Sequence, residues 1–278
     1  MIKISTDSTS DLTPALLDKF AISLVPLEII VDDQAYIDGI DIQPADIFHY
    51  AAAGKTCQTA AVNVFTYQRH FQELASQYEA VIHISLGSLF SSSYQNALLA
   101  ARDFPNVYVV DSANLSSGSG LLVYEAALMG QQGLPAEKIV EKLKTLVPKI
   151  ETSFVIDNLD YLQRGGRCSA LQNQGAKLLR LKPCIEVRDG RMVVGKKYRG
   201  SFTRALEKYV EDRLKDRKDI DCSRIFITHA MCAPEVVSLV RDLTQEYANF
   251  AEVIVADAGA TISCHCGPNT LGVLFMRK

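Results

Sequence analysis

The sequence has no CxxC pair and an odd number of cysteines, 7 in 278 residues, scattered along the chain. That argues against a disulfide framework and against a thioredoxin-type motif, and it suits a reducing compartment. No apolar run approaches the ~18 residues of a membrane span, and MIKISTDSTSDL lacks the basic start and apolar stretch of a leader. The expectation is a cytoplasmic protein. Internal repeats and low-complexity segments are missing too. The net charge is only -3, which gives no general attraction to nucleic acid. There is no GxxxxGK[ST], and the lone Gly118-Ser119-Gly120 lacks the third glycine of a dinucleotide fingerprint. GxSxG is absent as well.

What is present centres on Glu79 to Ala101. Ala80, Val81, Ile82, Ile84 and Leu86 read as a strand buried on both faces, and Tyr94, Ala97, Leu98 and Ala101 follow the spacing of a core-facing helix. Between them lie Ser85, Gly87, Ser88, Ser91, Ser92 and Ser93. Such a junction sets hydroxyls and free N–H groups at a helix N-terminus beyond a strand's carboxyl end, where an anion is favoured. One of these serines also suffices as a plain N-cap.

Strand and helix alternate through the first half. Strands are expected at Ile2–Ser5, Ile22–Val31 and Asn106–Val110, and helices from Pro14, over Pro44–Ala53, Val64–Tyr78, Gly120–Gln132 and Ala136–Val147, with Gly54–Thr59 a polar loop. Crossovers of this length imply a parallel sheet, hence a doubly wound, three-layer α/β/α domain over residues 1–150. After Lys149 the pattern changes. Asp189-Gly190 between two apolar runs predicts a hairpin, helices are expected near Leu159–Leu162 and Ser169–Leu179 and over Phe202–Leu214 and Pro234–Tyr247, and strands at Ser153–Ile156, Ser223–Thr228, Glu252–Val255 and Leu271–Phe275. This is an α+β domain with a mixed sheet over residues 151–278.

Cys264-His265-Cys266 invites a metal reading, but three adjacent residues splay on any regular element and no second pair completes a site. His265 has more interest as a hydrogen-bonding group, fixed by the expected tight turn Cys266-Gly267-Pro268. Charge is uneven. Asp160 to Lys218 holds 16 lysines and arginines against 7 carboxylates, with Arg167, Lys196, Lys197 and Arg199 at turns and strand ends. Such a segment suits an anionic partner.

Together these stretches resemble the DegV family: TDSTSDL from Thr6, KTCQ at Lys55–Gln58, SLFSSSYQNA at Ser88–Ala97, VVDS at Val109–Ser112, LDYLQRGGRCS from Leu159, LKPCIEVRDG from Leu181 and HCGPNTLGV from His265 occur in order. The resemblance implies a two-domain protein that binds one long-chain fatty acid between its domains, is not itself an enzyme, and presents the carboxylate to a separate ATP-dependent kinase subunit that makes acyl phosphate. It implies no cofactor and no metal, and is compatible with transient contact with a membrane surface. Carried over by position, Thr56 and Ser91 would contact the carboxylate, with Ser92, His265 and Arg167 beside it. The chain departs from the family pattern at Thr59 and Ala60, at Ser92 in place of a glycine, and at Asn269 in place of another. Two other readings stay open: an ester hydrolase using a serine of Ser88–Ser93 with His265, and a nucleotide-binding regulatory module.

Overall fold

Pro26 divides what the sequence presents as one strand. In a computed structural model, which describes residues 1–167 and 181–278, β1 (Ile2–Asp7) leads through a 3-10 turn at Ser8–Ser10 to α1 (Pro14–Lys19), and β2 (Ser23–Val25) then pairs parallel with β1. Thr13 caps α1 by accepting the Leu16 N–H. Beyond Pro26, which has no N–H for a ladder, β3 (Glu28–Val31) leaves that sheet. It forms a small antiparallel one with β4 (Gln34–Ile37) and, after α2 (Pro44–Ala52), with β5 (Cys57–Ala60). The expected strand Ile22–Val31 is therefore two strands in two sheets, and part of the expected loop Gly54–Thr59 is a strand. Nothing in Cys-Gln-Thr-Ala announces β5; its partner β3 supplies the apolar side chains.

The first half then follows the alternation. After α3 (Val64–Gln77), β6 (Ala80–Ser85), α4 (Ser93–Ala101) and β7 (Val107–Asp111), the order β2-β1-β6-β7 is parallel throughout. Tyr67, Phe71 and Ala97 of α3 and α4 pack on one face of it. On the other face lie α5 (Ser117–Gln131) and α6 (Ala136–Leu146). The helix α5 is buried nearly all round, as expected of one wedged between two layers. Its Gly118-Ser119 start is packed tight: a Cβ at Gly118 would sit 2.2 Å from Thr152 Oγ1.

The second sheet begins with β8 (Ile150–Ile156). After α7 (Asp160–Gly165) come the hairpin β9 (Leu181–Arg188) and β10 (Arg191–Arg199), α8 (Phe202–Leu214), β11 (Ile220–Ala230), α9 (Pro234–Tyr247), β12 (Glu252–Asp257), α10 (Ala260–Cys266) and β13 (Thr270–Arg277). The hairpin turns through Asp189 and Gly190, both at positive φ. The order is β10-β9-β8-β13-β11-β12, antiparallel except for β11 with β12. The helix expected over Ser169–Leu179 lies outside the described residues. The helices α8 and α9 cover the outer face, where Tyr209 and Val210 of α8 pack with Val273 and Phe275. The inner face turns toward α5, and Phe226 and Leu274 share one core with Leu121, Leu122 and Ile82.

Candidate ligand cavity

The strands β1, β6 and β7 all end at one edge, in Asp7, Ser85 and Asp111. With β1 and β6 adjacent and the chain leaving them in opposite directions, the loops part and leave a crevice at the carboxyl ends. Thr9, Leu86, Phe90, Ser91, Leu115 and Ser116 from those loops line it, and the inner face of the second sheet closes it with Thr152, Phe154, Thr228, Gly272 and Leu274. The empty volume, mouth included, is about 870 Å³. Most of the wall is apolar, with Leu27, Leu162, Met192 and Ile262 added to those named.

A buried frame fixes the Leu86 loop. Asp7 accepts hydrogen bonds from the Leu86 N–H (2.8 Å), Ser85 Oγ (2.8 Å) and the Tyr67 hydroxyl (2.6 Å), and His83 Nε2 lies 3.2 Å away. Burial alone would push the Asp7 carboxyl up, but the hydrogen bond and charge of His83, with Tyr67 and Leu86, hold it below its ordinary value. Ser5 Oγ, 3.1 Å from His83 Nδ1 and 2.8 Å from His70 Nε2, continues the chain. This serine, histidine and aspartate lie in the fully buried interior of the sheet and do not line the cavity.

Four polar groups gather at one side of the cavity. His265 stands near the end of α10, directly before Cys266-Gly267-Pro268, where Gly267 at positive φ ends the helix, and its Nε2 lies 2.8 Å from Thr59 Oγ1 on β5. Its Nδ1 is buried without a partner and faces the backbone of Gly165, where a Cβ would come within 2.3 Å. Burial, and after it the charge of Arg167, push the imidazole down to about 4, so it is neutral at pH 7. Arg167 donates to the carbonyls of Gly165 (2.9 Å) and Phe90 (3.4 Å) and has no carboxylate partner among the described residues. It is the one lysine or arginine among the described residues that line the cavity. Ser91 Oγ accepts the Ser93 N–H at 3.1 Å and lies 2.9 Å from Ser93 Oγ, which accepts the Val62 N–H.

Two of the expected residues stand elsewhere. Thr56 is exposed and lines a neighbouring surface cleft with Lys55, Tyr161 and Arg164. It lies beyond the last β3–β5 pair, Val31 with Cys57, and is tied to Asp32 through its N–H (3.3 Å) and carbonyl (3.1 Å). Three residues on, Thr59 pairs with Ile29 and supplies the inward hydroxyl. Ser92 is exposed at the start of α4 and makes no cap bond. The structure thus brings Ser91, Arg167 and His265 together, adds Thr59, and leaves Thr56 and Ser92 outside.

Other readings can be placed as well. Cys264 Sγ points to the Cys57 carbonyl (3.4 Å) and Cys266 Sγ to the Gly267 carbonyl (3.6 Å), so the two thiols flanking His265 diverge. Among the described residues no group of three or more His, Cys, Asp or Glu could hold a metal ion. No helix among them is long and apolar enough to cross a membrane. Much of the basic segment is neutralised in place: Lys182 by Asp157, Arg188 by Glu186, Lys196 by Asp212, Arg213 and Arg217 by Glu151, and Lys215 by Glu211.

An apolar cavity with an open mouth at the switch point of a doubly wound sheet, with one cation and two hydroxyls at one side, has the form that suits a long apolar molecule with a polar head. The chain belongs to the DegV family, whose model, that of uncharacterised DegV proteins, matches residues 1–278. A DegV domain-containing protein of Caldanaerobacter subterraneus is 32% identical, covering 100% of this chain and 99% of its own. A fatty-acid-binding DegV family protein from Thermus thermophilus superposes with a TM-score of 0.90 at 28% identity, covering 100% of this chain and 99% of its own. A stearic acid-binding protein from Eubacterium ventriosum does so with a TM-score of 0.85 at 25% identity, with the same coverage.

Proposed function

We propose that this protein binds one long-chain fatty acid between two jaws, residues 1–150 and 151–278, and acts as a carrier without chemistry of its own. The carboxylate sits by Arg167, Ser91 and Thr59, with neutral His265 as a further hydrogen-bonding group, and the alkyl chain lies along the apolar wall. The observation that carries this is the cavity's polarity: among the described lining residues a single guanidinium, bonded to two carbonyls but to no carboxylate, stands at one side of an otherwise largely apolar space. A carboxylate is costly to bury unless charge and hydrogen bonds meet it, and these groups supply both. The tail supplies the affinity, since at roughly 0.8 kcal/mol per methylene a sixteen-carbon chain gains on the order of 10 kcal/mol before ordering costs. The fatty-acid-binding relatives support the same ligand class.

A hydrolase is less well supported, because His265 Nε2 is engaged by Thr59 and no serine of Ser88–Ser93 hydrogen-bonds it. Presentation of the carboxylate to a separate ATP-dependent kinase subunit is the finer reading. The cleft that adjoins the cavity at Thr59, Arg167 and His265 and carries Lys55 and Arg164 supports it, as a basic approach to the head group. Organic extracts of protein purified from bacteria without detergent should contain about one fatty acid per chain by mass spectrometry. A lipid-free extract, with no rebinding of labelled fatty acid, would sink the proposal.

A further inference from the structure

One turn of α10 before His265, about 6 Å along the helix axis, the cavity wall changes character. Thr261 on α10 and Thr9 in the turn after β1 both line the cavity and are 3% and 1% exposed, and neither hydroxyl has a hydrogen-bond partner. His229, near the end of β11, borders it through its backbone, because it pairs with Leu271 and shares with Ile225 and Ile227 the face that packs beneath α8 and α9. Buried polar groups are paired as a rule, and each one that is not carries the desolvation cost of the group. Their neighbours are already satisfied: Ser116 donates to Asp11 Oδ2 at 2.5 Å, and Thr228 Oγ1 lies 2.7 Å from Ser117 Oγ. The hydroxyls of Thr9 and Thr261 therefore stay open near the start of α10, as does that of Thr152 on β8 elsewhere along the wall.

The charge around them selects the kind of group that fits. Asp11 and Asp38 accept the N–H groups of Gly259 (2.9 Å) and Ala260 (3.1 Å) where α10 begins, and Asp257 lies 3.6 Å from His229 Nε2. Arg167 stands at the other end of α10, beside His265. A second carboxylate at Thr261 would lie close to Asp38 and to an Asp11 carboxyl that burial already raises to about 8, with no lysine or arginine beside them among the described residues, whereas a neutral oxygen can both donate to and accept from hydroxyls.

We infer that the cavity is built for a fatty acid that carries a neutral oxygen substituent on its chain, a hydroxyl or a ketone, held by Thr9 and Thr261 while the carboxylate stays by Arg167. This rests on the fatty-acid reading above and adds the class of chain.

The test is displacement of a fluorescent fatty acid from the delipidated full-length protein by stearic acid and by stearic acids bearing one hydroxyl or one keto group at successive carbons. One position should bind on the order of tenfold more tightly than stearic acid, the worth of one or two neutral hydrogen bonds to otherwise unpaired groups. In the Thr9→Val, Thr261→Val double variant that ratio should fall to about one, with a melting temperature at or above the parent's because no bond is lost. Stearic acid binding as tightly as every oxygenated acid, or a preference that survives in the double variant, overturns the inference and leaves ordered water as the partner of these groups. Should the variant fail to fold, its hydroxyls were paired within the protein, and that too overturns it. Displacement by no acid of either kind would bring down the fatty-acid reading itself, an outcome distinct from displacement by stearic acid without preference.

Discussion

Burial and the Arg167 guanidinium push the His265 imidazole down to about 4, while the unfolded chain holds that proton up to about 6.5. Between those values the unfolded state binds more protons, so this residue makes stability rise with pH through the window and level off above it. His70, pushed down to about 4 by burial first and His83 second, acts in the same direction. Asp11 acts in the opposite one. Burial, with Asp38 and Asp257 adding to it against the bonds from Ser116 and Gly259, raises its carboxyl to about 8. Its contribution is full below the ordinary carboxylate range and is lost as pH rises through about 8. In thermal melts from about pH 4 to 9, His265→Asn should flatten the acid limb and Asp11→Asn the alkaline one; an unchanged alkaline decline in the latter would assign it to other groups. For binding, Ser91→Ala and Thr59→Ala should each cost about 1–3 kcal/mol by titration calorimetry, the loss of one hydrogen bond to a charged group, and exposed Thr56→Ala under ~0.5 kcal/mol. Ser91, Arg167 and His265 were legible as candidates because each lies in a recognisable run. Which hydroxyl between Lys55 and Thr59 points inward was not, since the pairing of Thr59 with Ile29 decides it.

Elements with a strong period of their own could be read directly: Phe202–Leu214 and Pro234–Tyr247 are helices over the ranges expected. Those that depend on a partner could not. The strand β5 exists through its ladder to β3, and α10, seven residues long, is too short to stand alone. Its first N–H groups are met by Asp11 and Asp38, distant in sequence. The contact between α5 and β11 makes the clearest prediction at this scale. Arg224 lies 4.1 Å over the ring of Tyr124, pairs with Glu125 and approaches Glu252 at 3.7 Å, while the Tyr124 hydroxyl donates to Glu252 at 3.0 Å. Arg224→Ala leaves the part-buried Glu125 carboxylate without its cation, while Glu252, 39% exposed, keeps contact with water. It should lower the free energy of unfolding in urea by about 1–3 kcal/mol, below the cost of breaking a fully buried pair, and a loss under ~0.5 kcal/mol would mean that the pair is as weak as a surface one.

Across the whole molecule, the composition and the alternation of elements made the two large sheets legible, but neither the small sheet of β3, β4 and β5 nor the core that joins the large ones. The sheet changes at Ile150, yet Leu121 and Leu122 of α5 pack with Ile82 before that point and with Phe226 and Leu274 after it. Urea unfolding followed by circular dichroism and by tyrosine fluorescence should therefore give one coincident transition; two separated midpoints would show that the halves fold independently. Fatty acid at about a hundred times its Kd should add about 2.7 kcal/mol and raise the melting temperature by several degrees. The second sheet also divides its labour along single strands. In β8 and β13, Phe154 and Leu274 face the cavity side, while Val155 and Val273 pack into the core beneath α8 and α9. Phe154 and Leu274 are also buried in the inner cores, Leu274 with Leu121 and Leu122 of α5, so a substitution there changes the bore and that packing together while Val155 and Val273 keep theirs. Gly272 is barred from such change, because a Cβ there would come within 2.5 Å of the Ser153 carbonyl. Bore and outer core are thus set on alternate residues of the same strands, so a change of bore is felt in the packing against α5 and not beneath α8 and α9.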